Sequence, residues 1–92
     1  FWVEVKDPEG EVRFLVCEFK VPTNSEANML EVSSKMAIIR YAIYYYLRNK
    51  SYDFLVDYQK QPEIKKDIAA IISDYLMSEK IEEILFENYL IK

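Results

Sequence analysis

The sequence has few of the residues on which most enzymes and cofactor-binding proteins depend. It contains no histidine, the commonest general base and metal ligand, and a single glycine, which excludes glycine-rich phosphate-binding loops. Its one cysteine, Cys17, excludes an internal disulfide and a CxxC site. Because Cys17 lies in an apolar run, we expect a small buried side chain, with a functional free thiol as the alternative. These absences predict a protein that is not an enzyme and holds no cofactor or metal.

The chain also lacks a basic stripe and a long apolar run. Its formal net charge is −4 and its pI is about 4.8, and no basic residues interleave with aromatics, which argues against a nucleic-acid partner. The longest uncharged apolar run, Tyr41–Leu47, is a third of the roughly 20 residues that a membrane helix needs. The chain begins on a strand pattern at Phe1 without an initiator methionine. We therefore expect a fragment that lacks a leading anchor or signal before Phe1.

The residues that are present suffice for one globular domain, residues 1–92. Hydrophobic residues make up 51% of the chain and charged residues 30%, which is a globular and not a disordered composition. The carboxylate pairs, Glu82 with Glu83 and Asp53 with Asp57, are interpreted as solvated charges and not as an acid/base pair, because no titrating partner accompanies them.

Two β-strands joined by a tight turn open the chain. Phe1–Lys6 alternates apolar and polar residues, and Glu11–Val21 returns as a second strand that Pro22 ends. Between them, Asp7-Pro8-Glu9-Gly10 suits a type I turn, in which Gly10 takes a positive φ and forms a bulge. The pattern predicts a β-hairpin.

Three helices are predicted after the hairpin. The first runs from about Ser25 to Asn49, with apolar residues at alternating steps of three and four. A short helix over Tyr52–Gln59 follows, and a third begins at Gln61-Pro62 with proline in its first turn. The side chains expected to be buried are Met29, Val32, Met36, Ile39, Ile43 and Leu47 of the first helix, Phe54, Leu55 and Tyr58 of the second, and Ile64, Ile68, Ile71, Ile72, Tyr75 and Leu76 of the third.

The C-terminal segment Ile81–Ile91 predicts a third strand, because it is rich in branched and aromatic residues. Both of its faces are apolar, which is typical of a strand inside a sheet, so we pair it antiparallel to Val12–Val21. The fold class is α+β: a three-stranded antiparallel sheet with helices on one face, in the order β-β-α-α-α-β.

Tyrosine is abundant, with eight residues in 92. Tyr41, Tyr44, Tyr45 and Tyr46 nearly surround the long helix, and core packing explains only one or two of them. The others suit either a protein–protein interface, where tyrosine combines a large contact area with a polar tip, or an ordinary surface. We retain both interpretations and select Tyr41, Tyr44 and Tyr45 as candidate interface residues.

Arg40 lies at the margin of the apolar face of the long helix. One interpretation is that its stem covers the core while its head stays in water. The other is that its guanidinium binds a carboxylate on a neighbouring subunit or partner. A second candidate patch is an exposed sheet face, predicted to contain Trp2, Leu15, Cys17 and Phe19 with Leu85 or Tyr89. The candidate interface set is Arg40, Tyr41, Tyr44, Tyr45, Trp2 and Phe19.

A colinear series of short motifs runs through nearly the whole chain. Its members are Asp7-Pro8-Glu9-Gly10, Arg13-Phe14-Leu15-Val16, Lys35-Met36, Ile38-Ile39-Arg40, Ala42-Ile43, Leu47, Lys50, Phe54-Leu55, Ile64-Lys65, Ile68, Ile71 and Ile84–Lys92. Their order resembles that of the extracytoplasmic domain of the FliL family, the flagellar basal body-associated membrane proteins.

The resemblance implies a stomatin/prohibitin-like fold and no catalysis. It implies a periplasmic domain of a single-pass inner-membrane protein with a role in motility and chemotaxis. The implied partners are further copies of itself in a ring-like homo-oligomer, the flagellar stator proteins that this ring surrounds and supports, and the membrane through the N-terminal anchor. The alternative is a non-flagellar protein-binding module of the same fold, which would hold a peptide or partner strand on the sheet face or edge.

Overall fold

The computed structural model describes residues 1–92 as a three-stranded antiparallel sheet packed against four α-helices. The elements are β1 (Trp2–Lys6), β2 (Val12–Lys20), α1 (Glu26–Ser34), α2 (Met36–Arg48), α3 (Tyr52–Val56), a 3₁₀ turn (Tyr58–Lys60), α4 (Gln61–Asp74) and β3 (Leu85–Ile91). The predicted α+β class and the antiparallel sheet are confirmed. The helices number four and not three, because the long helix is divided.

The hairpin turn is held by Asp7. The Gly10 amide donates to the Asp7 carbonyl at 2.9 Å, and Gly10 has a φ of +83°, which confirms the predicted turn and its glycine. The Asp7 carboxylate accepts the amides of Glu9 and Glu11 at 3.0 and 2.9 Å and the Arg13 Nε at 3.2 Å. One buried side chain therefore closes the turn and fixes the start of β2.

Strand β2 lies between β1 and β3, as expected for a strand with two apolar faces. Trp2 lies opposite Val16, and Val16 lies opposite Leu90, so these three side chains share the face that points away from the helices. Val3 and Leu15, also opposite one another, are fully buried on the helix-facing side. The register shifts once between β2 and β3, at Glu18/Phe19, which marks a bulge.

The core lies between the helices and one face of the sheet. Helices α2 and α4 each bury a stripe of apolar residues that follows the helical period. The apolar residues of β1 and β2 cover the core on the sheet side. The buried cluster consists of Val3, Val5, Leu15, Cys17, Val32, Ile39, Ile43, Leu47, Leu55, Ile64, Ile68, Ala69, Ile72, Leu76, Ile81 and Ile84.

The predicted continuous helix over Ser25–Asn49 is wrong, because it breaks at Lys35. Lys35 has φ −104° and ψ 10°, and the Ser34 hydroxyl donates to the Glu31 carbonyl at 3.0 Å, a bond that competes with helix continuation. The Lys35 ammonium bonds the Tyr75 carbonyl at 2.7 Å and the Glu31 carboxylate at 2.8 Å. The break therefore lies where the side chains of α1 are tied to the end of α4.

Three side chains expected in the core are exposed instead: Met29, Met36 and Tyr58. The two methionines flank the helix break, so the redirected chain turns them out of the stripe. Tyr58 is 82% exposed because α3 ends at Val56. Beyond it, the Asp57 carboxylate accepts the Gln59 amide at 2.9 Å and begins a separate 3₁₀ turn.

The third strand begins at Leu85, four residues later than the predicted Ile81. The Ile81 amide donates to the Ser73 hydroxyl at 2.8 Å, and that hydroxyl donates to the Ile81 carbonyl at 3.2 Å. Ile81 is therefore bound to α4 and cannot pair in the sheet, although its side chain and that of Ile84 remain in the core.

Candidate protein-interaction site

Helix α2 carries Tyr41 and Tyr45 on the side that faces away from its buried stripe, whereas Tyr44 and Tyr46 are half-buried against the core. Ile39, Ile43 and Leu47 contact the core, whereas Tyr41 and Tyr45 are 65% and 53% exposed. The two exposed rings contact each other, with centroids 5.7 Å apart. This spacing on one helix face presents a paired aromatic surface to solvent.

The exposed side of α2 meets β1 in a cleft of about 380 Å³. Its lining residues are Phe1, Trp2, Ala37, Arg40, Tyr41 and Tyr44. Four of the six predicted interface residues therefore lie together, namely Trp2, Arg40, Tyr41 and Tyr44. Tyr45 lies beside the cleft through its contact with Tyr41.

Arg40 is held in place by an aromatic ring and not by a carboxylate. Its guanidinium carbon lies 4.9 Å from the centroid of the Phe1 ring, and Phe1 stacks on Phe19 at 5.7 Å with an interplanar angle of 5°. The ion pairs of the chain join other residues, so the fork of Arg40 keeps its hydrogen-bond donors for solvent or a partner.

Phe19 is placed away from Trp2 and the tyrosines. It is half-buried on the helix-facing side of β2 and lines a separate cavity of about 370 Å³ together with Cys17, Met36 and Ile43. Arg40 also lines that cavity, so it lies between Phe19 on one side and the tyrosines on the other.

The predicted composition of the exposed sheet face is wrong. Leu15 and Cys17 are fully buried under the helices, and Tyr89, opposite Cys17, lies on the same side. The prediction combined side chains from two faces, because the cross-strand register was not known. Trp2 shares its face with the even-numbered residues of β2 and their cross-strand partners in β3, so the actual outer face contains Trp2, Phe14, Val16, Leu85 and Leu90. Leu85 belongs to this face because the register shift at Glu18/Phe19 places it opposite Lys20.

Phe14 is the aromatic residue of the outer face that sequence reasoning did not select; Val16 and Leu90 were also left out. Its ring lies 6.1 Å from that of Trp2, and it is 40% exposed. The signal was present in the alternation of β2, which placed Phe14 and Val16 on one side. Only the pairing of Trp2 with Val16 shows that Phe14 belongs with Trp2.

Two other tyrosines have structural partners. The Tyr46 hydroxyl donates to the Asp67 carboxylate at 2.6 Å and joins α2 to α4. The Tyr89 hydroxyl donates to the Leu55 carbonyl at 2.7 Å and joins β3 to α3. Burial, and for Tyr46 the hydrogen bond to Asp67 as well, raises the pKa of both phenols. These tyrosines stabilise the fold, which removes Tyr46 from the interface interpretation.

We expect the Cys17 thiol to react slowly with thiol reagents in the native protein. Cys17 is fully buried, and burial raises the pKa of its thiol to about 11, so very little thiolate forms at pH 8. The measurement is labelling with an aromatic disulfide reagent, with and without denaturant. Rapid native labelling at the denatured rate would contradict the buried interpretation and favour a functional thiol.

The described residues include no group of three histidine, cysteine, aspartate or glutamate side chains placed to hold a metal ion. None of the helices has both the length and the hydropathy needed to cross a membrane.

The fold is that of a small α+β domain with an aromatic cleft between α2 and β1. The model of the family described as flagellar basal body-associated protein FliL matches residues 1–91. The chain therefore belongs to the FliL family, which confirms the resemblance seen in the sequence and indicates a role associated with the flagellar basal body. The family is structural and is not known for enzymatic activity. A search of curated proteins returned no match.

Proposed function

We propose that this chain is the non-catalytic periplasmic scaffold domain of a single-pass inner-membrane protein. In this role it self-associates around the flagellar stator and supports it. Family membership supports the flagellar part of the proposal. The observation that supports a protein-contact surface is that Trp2, Arg40, Tyr41 and Tyr44 line one exposed cleft. Aromatic residues and arginine are the groups enriched where proteins bind one another.

Photo-crosslinking of the full-length protein in native membranes tests this function. With a photoreactive residue at Tyr41 or Tyr45, we expect adducts to a second copy and to a stator subunit, because both side chains are more than half exposed. The same residue at Lys66, which is exposed on α4, is the control for random collision.

The pattern of adducts decides the result. Adduct yields at Tyr41 and Tyr45 no higher than at Lys66 would contradict the interface. Adducts to a different membrane complex would favour the non-flagellar binding module. Sedimentation at several concentrations adds a separate test, since a strict monomer of the full-length protein would contradict self-association.

A further inference from the structure

A continuous groove runs between α2 and the free edge of β1. Beside the cleft that contains Trp2 and Arg40 lies a second cleft of about 280 Å³, lined by Glu4, Val5, Lys6, Tyr44 and Arg48. Tyr44 lines both clefts, so they adjoin. We call their union the β1–α2 groove. Trp2 lies beside Arg40, and Lys6 lies beside Arg48. Strand β1 and helix α2 therefore run in the same direction along the groove.

The groove exposes the hydrogen-bonding edge of β1. Phe1 and Cys17 bond each other in both directions, with the Phe1 nitrogen donating at 2.7 Å and the Cys17 nitrogen donating at 2.9 Å. Hydrogen-bonded pairs alternate in an antiparallel ladder, so the odd-numbered residues of β1 use their backbone groups toward β2. The N–H and C=O groups of Trp2, Glu4 and Lys6 therefore point toward the groove, where no strand pairs with them.

The charge of the groove is opposite to that of the chain. Its charged residues are Lys6, Arg40, Arg48 and Glu4, three cationic and one anionic, whereas the whole chain carries −4. None of these four takes part in the ion pairs of the chain. An anionic partner segment would therefore meet free arginine forks without displacing an existing partner.

We propose that the β1–α2 groove binds an extended acidic segment of a partner protein, which adds to β1 as a fourth strand. Main-chain hydrogen bonds to Trp2, Glu4 and Lys6 would supply affinity, as in other cases of strand addition. Arg40 and Arg48 would each bind a carboxylate of the segment through a bidentate fork. This inference rests on the proposed function, since it names the chemistry of a partner for the same surface.

The geometry specifies the spacing of the acidic residues. Arg40 and Arg48 are eight residues apart on one helix, which is about 12 Å along its axis. Four residues of a strand span about 13 Å and return to the same face. The segment therefore carries acidic residues at positions i and i+4. An apolar residue at i+2 would contact Tyr44, which lies between the two arginines.

The first test measures binding of a fluorescent peptide to the 92-residue chain by anisotropy. The probe contains Glu-Thr-Val-Thr-Glu within a polar extended sequence, and its matched control replaces both glutamates with lysine. We expect Arg40→Gln and Arg48→Gln each to weaken binding of the acidic probe roughly tenfold, because each removes a charge-assisted pair. Lys66→Gln removes the same charge from α4, outside the groove, and we expect it to leave binding unchanged.

The second test addresses strand addition. Glu4→Pro removes an outward-pointing N–H at an edge strand, a position where proline is tolerated, and Glu4→Ala is its control. We expect the proline variant to lose binding and the alanine variant to keep it. A probe N-methylated on the amides that face β1 tests the same bonds on the unchanged protein, and we expect it not to bind.

Several results would overturn the inference. Equal binding of the acidic and lysine probes would remove the charge requirement, and full binding of the N-methylated probe would remove strand addition. A dimer abolished by Glu4→Pro, without probe binding, would assign the edge to a second copy. Arginine-dependent binding to phosphatidylglycerol vesicles, without probe binding, would assign it to a membrane surface.

The outcomes also separate this inference from the proposed function. Stator adducts at Tyr41 without any probe binding would contradict the proposed binding of an acidic segment and would still support the scaffold function. Probe binding that depends on Arg40 and Arg48, without stator adducts, would support the groove and redirect the function to another partner.

Discussion

Replacing Asn28 with leucine is expected to lower the free energy of unfolding by about 2 kcal/mol. Asn28 is fully buried, and its Nδ2 donates to the Glu79 carbonyl at 3.0 Å and the Ser78 hydroxyl at 3.2 Å. Its Oδ1 accepts the Asn24 amide at 3.4 Å. Leucine leaves these groups without their partner. It also removes the hydrogen bonds that join the start of α1 to the segment after α4. The measurement is urea unfolding followed by circular dichroism.

Asn49→Leu is the matched control for this prediction. Its amide bonds only the Tyr45 carbonyl, at 2.8 Å and at an exposed helix end, so we expect a loss below about 0.5 kcal/mol. If both variants lost the same stability, the hydrogen bonds of the buried Asn28 amide would not stabilise the fold as the structure indicates.

Glu31→Gln is expected to destabilise the protein strongly at pH 7 and much less in acid. The Lys35 ammonium, then the hydroxyl and amide of Ser78 and the amide of Met77, donate hydrogen bonds that hold the pKa of Glu31 well below its usual range. A glutamine cannot accept all of these donors as strongly as a carboxylate.

The sign of the pH dependence follows from the lowered pKa of Glu31. The stability that its carboxylate contributes is present above the unfolded-state pKa of about 4.3 and is lost as the pH falls toward the native value. The difference between the wild type and Glu31→Gln should therefore shrink below about pH 4. Unfolding curves at pH 7, 5 and 3 measure it. Glu79→Gln, an exposed neighbour without side-chain hydrogen bonds, should show no such trend.

The elements that follow a simple period could be read from the sequence. The alternation of β1, the turn at Gly10 and the stripe of α4 each depend on neighbours within a few residues, and the structure reproduces them. The antiparallel pairing of β3 with β2 is confirmed, but the expectation that β3 lies inside the sheet is wrong, because the strand order β1-β2-β3 places it at an edge.

The features that could not be predicted depend on residues distant in the chain. The break at Lys35 combines the local Ser34 hydroxyl bond with a bond to the distant Tyr75 carbonyl, and the late start of β3 arises from Ser73. None of these contacts leaves a periodic signal. The burial of Asn28 is of the same kind, because its partners lie about 50 residues away.

The types of residue in the candidate site were predictable from the sequence, but which of them lie together was less so. Helical spacing placed Arg40, Tyr41 and Tyr44 on one side of α2, and the structure adds Trp2 from β1. Phe19 was assigned to the same set, but its parity on β2 directs it to the other face of the sheet. One cross-strand register decides which aromatic residues meet.

The position of Trp2 gives the protein a built-in optical reporter. Trp2 is the one tryptophan of the chain, it is 61% exposed at the edge of β1, and the Lys92 ammonium lies 4.9 Å above its ring. The indole is already in water, so unfolding changes its emission little. A partner strand added beside β1 would change it more. Tryptophan emission in this protein therefore reports the occupancy of its edge, while tyrosine absorbance and ellipticity report its unfolding.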